Sequence, residues 1–289
     1  MTSVGTRVFA LLGDPVAHSL SPVMQGAAFR ALGLDVEYRA LRVPADRPGR
    51  VAPIMRTLAG AGGGGNVTVP HKQVAARALD APDADVTATG ACNTFWRDAE
   101  ARLAGANTDV GGILRSLEEL GTLRLGGAEV LVLGAGGAGR AAVVACARGG
   151  ARRIEIRNRS RARAELLASE LGARLGATGA KPEVVVGTWD GAGGDFDLAI
   201  QATSLGLRPG DPLPPGLERA TVRHALDLVY RPPDGTAWVR HARRRGVPVL
   251  DGLRPLLHQG ALGLRHWTGA EPGPEVLAAM ERALAAVPG

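Results

Sequence analysis

The sequence predicts an α/β protein with two domains. Its 289 residues are enough for two hydrophobic cores of ordinary size. Between residues 130 and 250, short apolar strands alternate with helices, which is the pattern of a parallel sheet covered by helices on both faces. A run of glycines at 134–139 separates one of these strands from the next helix. A doubly wound sheet is therefore expected in the second half of the chain.

The first half of the chain predicts a separate N-terminal α/β domain. Ser21 and Pro22 mark a helix start, with the serine as the expected N-cap. The glycine run at 60–65 is expected to be a flexible loop. The predicted strands are 8–12, 36–43, 66–69, 85–89 and 95–96, and the predicted helices are 21–32, 44–58, a segment after Pro70, and a segment from Thr108 or Asp109 to about residue 120.

The elements after residue 127 are more regular. The predicted strands are 130–133, 153–157, 184–186, 198–202, 225–229 and 247–250, with helices ending at about residues 148 and 171. The last two helices, 253–267 and 274–286, have no following strand, so we expect them to pack back onto the N-terminal domain. That domain then comprises residues 1–110 and about 253–289, and the second domain comprises 111–252.

Composition argues against several classes of protein. No run of 18 apolar residues is present and the N-terminus lacks a signal-peptide pattern, so we expect neither a membrane-spanning helix nor secretion. Cys92 and Cys146 lie far apart in the sequence. We therefore interpret them as free thiols of a cytoplasmic protein. The net charge is +6, but only 3% of residues are aromatic, which is few for stacking on single-stranded nucleic acid. An anionic small molecule is the better expected partner.

The glycine run matches the dinucleotide-binding pattern G-x-G-x-x-G. Its members are Gly134, Ala135, Gly136, Gly137, Ala138 and Gly139. The pattern follows an apolar strand and opens a helix, which is the context that a pyrophosphate site requires. The alternative is a glycine turn that only packs the helix onto the strand.

The residues after the second strand of this domain favour NADP over NAD. An NAD site usually carries an acidic residue here for the ribose 2′-hydroxyl. This chain has Asn158, Arg159 and Ser160, with Arg163 one helical turn later. Two guanidinium groups suit a 2′-phosphate, which they can bind bidentately. The alternative is a solvated arginine-rich helix start, although positive charge there opposes the helix dipole.

Lysine is rare in this chain. The sequence has 34 basic side chains, and only Lys72 and Lys181 are lysines. Because lysine can lose its proton when desolvated and arginine cannot, Lys72 is a candidate proton donor. The alternative is an ordinary surface ammonium group, which is the interpretation that we give to Lys181.

Several short segments together resemble the shikimate dehydrogenase family. No single segment would suffice, but they cover nearly the whole chain in order. They are GDPVAHSLSP at 13–22, NVTVPHK at 66–72, GACNT at 90–94, NTD at 107–109, ATS at 202–204, DLVY at 227–230, GLRPLLHQGA at 252–261 and WTG at 267–269.

The resemblance implies a reversible reduction of 3-dehydroshikimate to shikimate with NADPH. It implies that Lys72 and Asp109 form the catalytic pair, with the lysine exchanging a proton with the substrate oxygen. It also implies that Ser19 and Ser21 bind the substrate carboxylate. The remaining substrate residues would be Thr68, Asn93, Tyr230 and Gln259, and the remaining cofactor residues would be Thr203, Leu228 and Gly252. No metal is expected.

Most of these residues also have a purely structural interpretation. Ser21 and Asp109 are plausible helix N-caps, Asn93 could complete a turn, and Gln259 could be a hydrogen-bonded core amide. His18 and His71 stand beside better-placed residues of their segments, so we interpret both as structural.

Three positions depart from the usual family pattern. The chain has Val110 after the catalytic aspartate where glycine is usual, Ser160 where threonine is usual, and Arg254-Pro255 where Gly-Met is common. These departures keep open a preference for quinate or an aminated shikimate analogue. A non-catalytic NADP-binding sensor is a further alternative, and a nucleic-acid binder rests only on net charge. The sequence leaves both a monomer and a homodimer possible.

Overall fold

The computed structural model describes residues 7–177, 182–191, 193–231 and 234–287. Lys181 lies outside these residues. The chain forms two compact units: the first contains the described residues up to Thr108 together with Gln259–Val287, and the second contains Asp109–His258. Within the described part of the chain, no helix combines the length and the apolar character needed to cross a membrane.

The first unit is built around a six-stranded sheet. The elements up to its boundary are β1 (Arg7–Gly13), α1 (Ser21–Ala31), β2 (Val36–Arg42), a short 3-10 turn (Pro48–Arg50), α2 (Val51–Gly60), β3 (Gly64–Val67), α3 (Lys72–Ala78), β4 (Ala81–Pro82), α4 (Ala84–Thr89), β5 (Thr94–Arg97), β6 (Leu103–Ala106) and α5 (Thr108–Glu118). The strand order is β2-β1-β3-β5-β6-β4. The pairs β1–β2, β1–β3 and β4–β6 are parallel, whereas β5 runs antiparallel to both of its neighbours.

The second unit contains a parallel sheet of six strands. Its strands and the helices between them are β7 (Glu129–Leu133), α6 (Gly137–Arg148), β8 (Arg153–Arg157), α7 (Arg161–Ala177), β9 (Glu183–Val186), β10 (Asp195–Gln201), β11 (Thr221–Asp227), α8 (Ala237–Arg244) and β12 (Val249–Leu250). Helix α9 (Leu253–Thr268) begins in this unit and ends in the first, which also contains α10 (Pro274–Ala285). The strand order is β12-β11-β10-β7-β8-β9. From β7 the chain moves outward through β8 and β9 and then returns to β10, so the topological switch point lies between β7 and β10.

The predicted fold class is confirmed. The apolar run of β7 is almost completely buried, as expected for a central parallel strand. The last helices pack on the first unit, as predicted: Gly260 of α9 approaches Met24 and Gln25 of α1 so closely that a Cβ would lie 2.3 Å from the Met24 methyl group. Trp267 of α9 packs against Phe9, with ring centroids 5.0 Å apart.

Some element predictions were wrong. Residues 85–89 form part of helix α4, because Asp83 caps its N-terminus through Val86 N–H at 2.6 Å and Gly90 ends it at φ +67°. The helix predicted from residue 44 begins at Val51. Ser21 is the first helical residue, with Leu20 as the N-cap. Helix α8 and strands β4 and β6 were not predicted.

The glycine run at 60–65 is only partly a loop. Gly64 and Gly65 belong to β3 and are buried. A Cβ on Gly65 would lie 2.0 Å from the Ala10 carbonyl oxygen, so this strand pairing needs glycine. The run that suggested flexibility from its composition instead allows two backbones to approach closely.

Candidate functional site

One edge of the first sheet carries the predicted substrate residues of the first unit. Strands β1, β3 and β6 end at this edge, and the antiparallel strand β5 begins there. Ser19 and Ser21 follow β1, Thr68 and Lys72 follow β3, and Asn93 precedes β5. The topology therefore brings segments together that are far apart in sequence.

The segment after β1 is fixed against the segment after β3. Asp14 N–H donates to the Val69 carbonyl at 2.9 Å, and Thr68 N–H donates to the Leu12 carbonyl at 2.8 Å. A Cβ on Gly13 would lie 2.3 Å from the Thr68 methyl group, which explains the glycine. Beyond this contact, Ser21 N–H donates to Ser19 Oγ at 3.2 Å, so both serines lie at the start of α1.

Asn93 is the centre of a buried hydrogen-bond network. Its Oδ1 accepts from Thr108 N–H at 2.8 Å, and its Nδ2 donates to Thr108 Oγ1 at 3.0 Å and to Gln259 Oε1 at 3.2 Å. The network brings the side chains of Asn93 and Gln259 into direct contact. Thr108 was not predicted as a site residue, although it belongs to the quoted NTD segment.

Lys72 is the first residue of α3 and is half-buried. Its carbonyl accepts from Cys92 N–H at 2.8 Å, which places the start of α3 beside the loop that holds Asn93. The neighbouring His71 is buried, and its Nε2 lies 2.8 Å from the Val43 carbonyl. His71 therefore holds the loop, whereas Lys72 retains some exposure.

Asp109 is the first residue of the second unit and lies in the first turn of α5. It is half-buried. The preceding residue, Thr108, is the one that Asn93 holds, so the Asn93 network also fixes where α5 begins.

The three glycines of the dinucleotide pattern have different surroundings. Gly134 has φ +112°, and a Cβ there would lie 2.7 Å from the Ala202 carbonyl oxygen across the switch point. A Cβ on Gly139 would lie 2.2 Å from the Gly134 carbonyl oxygen. In contrast, a Cβ on Gly136 would meet nothing within 4 Å. The first and third glycines thus serve the fold, and the second leaves open space where a pyrophosphate can approach the start of α6.

The segment after β8 is joined to this glycine turn. Ala135 N–H donates to Asn158 Oδ1 at 3.2 Å, and Asn158 Nδ2 donates to the Ser160 carbonyl at 2.8 Å. Arg159 and Arg163 are exposed. Among the described residues, neither has an ion-pair partner, whereas the intervening arginine of the same helix start is paired. Two uncompensated guanidinium groups beside the turn fit a phosphate on the ribose.

The remaining predicted residues of the second unit follow β10, β11 and β12. Thr203 follows β10, and its Oγ1 accepts from Leu205 N–H at 3.0 Å. A Cβ on Gly252 would lie 2.7 Å from the Leu228 carbonyl oxygen and 2.8 Å from the Tyr230 nitrogen. The structure thus brings the segments of Leu228, Tyr230 and Gly252 together.

A buried polar group beneath these segments was missed in the sequence. Asp227 and Gln201 are almost completely buried at the ends of β11 and β10. Asp227 Oδ1 accepts from Val229 N–H at 2.9 Å and from Gln201 Nε2 at 3.2 Å, and Thr236 Oγ1 donates to its Oδ2. Burial raises the pKa of the Asp227 carboxyl group to about 7. A polar residue closing each of two adjacent apolar strands was the available signal.

The described residues contain no group of three or more His, Cys, Asp or Glu side chains that could hold a metal ion. The polar residues of both units are suited to hydrogen bonding with an organic ligand. The donor types are hydroxyl, amide, ammonium and guanidinium groups, which match an anionic, hydroxylated molecule and a phosphorylated nucleotide.

Comparison with known proteins identifies the family. The family model for the shikimate dehydrogenase substrate binding domain matches residues 11–95, and the model for shikimate / quinate 5-dehydrogenase matches residues 117–179. The chain is 42% identical to the shikimate dehydrogenase (NADP(+)) of Rubrobacter xylanophilus, with 96% of this chain and 95% of that protein covered. The chain belongs to the shikimate dehydrogenase family.

Two solved structures of the family resemble this one over nearly its full length. Shikimate 5-dehydrogenase from Thermus thermophilus, in complex with NADP(H) and shikimate, has a TM-score of 0.77 and 38% identity, covering 96% of this chain and 99% of that one. Quinate dehydrogenase from Corynebacterium glutamicum, in complex with NAD, has a TM-score of 0.82 and 27% identity, covering 98% and 99%. Both shikimate and quinate enzymes therefore share this architecture.

Two departures from the shikimate dehydrogenase pattern have clear positions. Val110 is completely buried, so its side chain contributes to a core. The guanidinium group of Arg254 is bound by Glu119, with Nε 2.6 Å from Oε2. Both side chains therefore make their contacts within the protein.

Proposed function

We propose that this protein is an NADP-dependent shikimate dehydrogenase that reversibly reduces 3-dehydroshikimate to shikimate. The observation that carries the proposal is the pair of guanidinium groups without an ion-pair partner in the described chain, Arg159 and Arg163, beside a glycine turn at the switch point of a parallel sheet. Family membership supports the reaction, because relatives that are about 40% identical are named shikimate dehydrogenase (NADP(+)). NADP, when bound, accepts or supplies the hydride.

The proposed cofactor site is formed by the second unit. The glycine turn, Gly134 to Gly139 with Ala135 and Ala138, binds the pyrophosphate through backbone N–H groups at the start of α6. Asn158, Arg159, Ser160 and Arg163 bind the adenosine ribose with its 2′-phosphate. Segments containing Thr203, Leu228 and Gly252 contact the nicotinamide half.

The proposed substrate residues lie mainly on the edge of the first sheet. Ser19 and Ser21 bind the carboxylate, because hydroxyl groups at a helix start suit an anion. The ring hydroxyls are bound by Thr68, Asn93 and Gln259, and Tyr230 also reaches the substrate. The link between Asn93 and Gln259 at 3.2 Å pre-orients the two amides before any ligand arrives.

Lys72 and Asp109 are the proposed catalytic pair. During oxidation of shikimate, Lys72 takes the hydroxyl proton from the substrate oxygen as the carbon loses its hydride. During reduction it returns that proton to the oxygen. Asp109 orients the hydroxyl. Acid–base assistance of this kind contributes roughly a hundredfold to ten-thousandfold in rate.

The proposal extends to organisation and location. We assign substrate binding to residues 1–110 and about 253–289, and NADP binding to residues 111–252. Both cysteines are buried free thiols, which supports a cytoplasmic enzyme. A monomer and a homodimer both agree with the proposal, and sedimentation at several concentrations distinguishes them.

A substrate panel tests the proposed function. The measurement is kcat/KM for shikimate, quinate and an aminated shikimate, each with NADP and with NAD. We expect shikimate with NADP to be the preferred combination. Slow oxidation of shikimate beside fast oxidation of quinate would identify a quinate dehydrogenase. Tight NADPH binding without turnover of any member would identify a binding protein.

A further inference from the structure

Asp227 joins three segments at one end of the second sheet. It accepts the N–H of Val229, which lies between Leu228 and Tyr230, at 2.9 Å. It accepts Gln201 Nε2 at 3.2 Å and also the hydroxyl of Thr236. Asp227 has no solvent exposure, so it cannot touch a ligand and must act through these neighbours.

Gln201 extends the contact to the segment after β10. Its Oε1 accepts the N–H of Thr203, and its Nε2 also donates to the Leu205 carbonyl at 2.7 Å. Thr203 Oγ1 in turn accepts from Leu205 N–H at 3.0 Å. One buried pair, Asp227 and Gln201, therefore determines the backbone course after two adjacent strands.

Thr236 connects Asp227 to helix α8. Its Oγ1 accepts from Val239 N–H at 3.2 Å and so caps the helix. It also packs under the segment after β10, because a Cβ on Gly206 would lie 2.7 Å from its methyl group. A change at Asp227 therefore affects the segments after β10 and β11 together.

The strand order places this network under one half of a bound dinucleotide. The glycine turn follows β7, and Arg159 follows β8, so the adenosine half lies on the β8 side. Strands β10 and β11 lie on the other side of β7. The segments that Asp227 holds are consequently those beside the nicotinamide half.

We propose that Asp227 is a positioning residue for the nicotinamide half of NADP(H), acting through the segments at 203–205 and 228–230. This role rests on the proposed function, because it assumes that the glycine turn binds NADP(H). Without the carboxylate, Val229 N–H and Gln201 Nε2 lose their buried acceptor, and both segments lose their fixed course. The contacts of the adenosine half, on the far side of β7, stay intact.

Two ligands separate this role from a general loss of folding. One is NADPH, and the other is adenosine 2′,5′-bisphosphate, which lacks the nicotinamide half. For Asp227→Ala, we expect the Kd of NADPH to rise about tenfold, as the loss of these buried hydrogen bonds predicts. The Kd of adenosine 2′,5′-bisphosphate should change by less than about twofold, since its contacts are retained.

Two further variants make the test robust. Asp227→Asn keeps an acceptor oxygen and the same shape, so it should restore NADPH binding to within about threefold of wild type. Gln201→Ala should also weaken NADPH binding selectively, and it replaces Asp227→Ala in the test if that variant does not fold. The matched control is Asp197→Ala, at the opposite end of the same sheet, where the carboxylate accepts Glu129 N–H at 2.9 Å.

The outcomes are distinct. The proposal is supported if Gln201→Ala and Asp227→Ala both weaken NADPH binding selectively while Asp197→Ala changes the binding of neither ligand. Parallel weakening of both ligands, or no change in either, overturns it. Shikimate turnover by the wild-type enzyme tests the proposed function separately, because neither dissociation constant depends on the substrate.

Discussion

Arg254 and Glu119 form a bidentate ion pair, with Arg254 Nε 2.6 Å from Oε2 and Nη2 2.5 Å from Oε1 of the same carboxylate. His258 adds a third contact, its Nε2 lying 2.6 Å from Glu119 Oε1. The group links the start of α9 to the end of α5. Arg254 departs from the usual family sequence, but its guanidinium group is paired with Glu119 within the protein.

Replacing Arg254 should therefore change stability rather than substrate choice. For Arg254→Gln, we expect the ratio of kcat/KM for shikimate to that for quinate to stay within about threefold. The free energy of unfolding should fall by about 1 kcal/mol, because the pair is partly exposed yet bidentate. Urea unfolding and steady-state kinetics measure the two effects.

Arg265→Gln provides the matched control, since Arg265 lies on the same helix and pairs with Glu271 at 3.4 Å. It should have a smaller effect on stability and none on the ratio. A change of more than about tenfold in the shikimate to quinate ratio for Arg254→Gln alone would show that Arg254 selects the substrate.

Lys72 should be required for turnover and dispensable for cofactor binding. For Lys72→Ala, we expect kcat to fall by at least about a hundredfold, because proton exchange with the substrate oxygen is lost. The Kd of NADPH should change little. Arg77→Ala removes a cation from the same helix and is the control. An unaltered kcat for Lys72→Ala would rule out the proposed acid–base role.

Arg159 and Arg163 should decide between NADP and NAD. Replacing each by glutamine should raise the KM for NADP by about tenfold, because a charge-assisted contact to the 2′-phosphate is lost. The KM for NAD should be almost unchanged. Arg161→Gln is a close control, since Arg161 lies between them and is paired with Glu165 at 2.8 Å. Equal losses for NADP and NAD would contradict a role in 2′-phosphate binding.

The glycines of the turn should separate folding from binding. Gly139→Ala places a Cβ 2.2 Å from the Gly134 carbonyl oxygen, so it should lower the free energy of unfolding by about 1 to 3 kcal/mol as well as weaken NADPH binding. In Gly136→Ala the added Cβ has no atom within 4 Å, so this variant should keep the melting temperature of the wild type while binding NADPH more weakly. Equal melting temperatures for the two variants would contradict these separate roles.

The sequence predicts local structure well where one local signal dominates. The strand at 153–157 was predicted with the observed bounds, since it is short, apolar in alternation and followed by a helix start. Residues 85–89 were misread because Val86, Thr87 and Thr89 favour strands, while the decisive residues, Asp83 and Gly90, flank the segment. Capping at both ends outweighed intrinsic propensity.

Long-range polar contacts were harder to predict. The segment containing Asn93 was recognised, but its links to Thr108 and Gln259 depend on how strands and α9 meet in space. Asp227 and Gln201 were missed as a pair, because 26 positions separate them and only the β10–β11 register brings them side by side. Strands β10 and β11 are parallel and joined by the long connection 202–220, so no hairpin turn fixes their register in the sequence.

The buried carboxyl group of Asp227 should make stability depend on pH. Its pKa is about 7 in the folded protein against an ordinary 3.8, owing mainly to burial, with the nearby Asp251 charge adding to the shift. Below about pH 4 the carboxyl is protonated in both states and has no effect. Between about pH 4 and 7 the unfolded chain releases the proton and the folded chain keeps it. The free energy of unfolding then falls as pH rises, by up to about 1.4 kcal/mol per pH unit, and the effect is constant above about pH 7.

Asp227→Asn removes this titration and leaves the remaining ionisable groups in place. The difference in free energy of unfolding, variant minus wild type, should therefore rise between about pH 4 and 7 and level off above that range. Urea unfolding at half-unit intervals of pH measures it. Asp197→Asn, at the other end of the sheet, is the matched control, since it replaces a partly exposed carboxylate that is paired with Arg223 at 2.7 Å. A flat difference for Asp227→Asn would mean that this carboxyl group titrates normally in the folded protein.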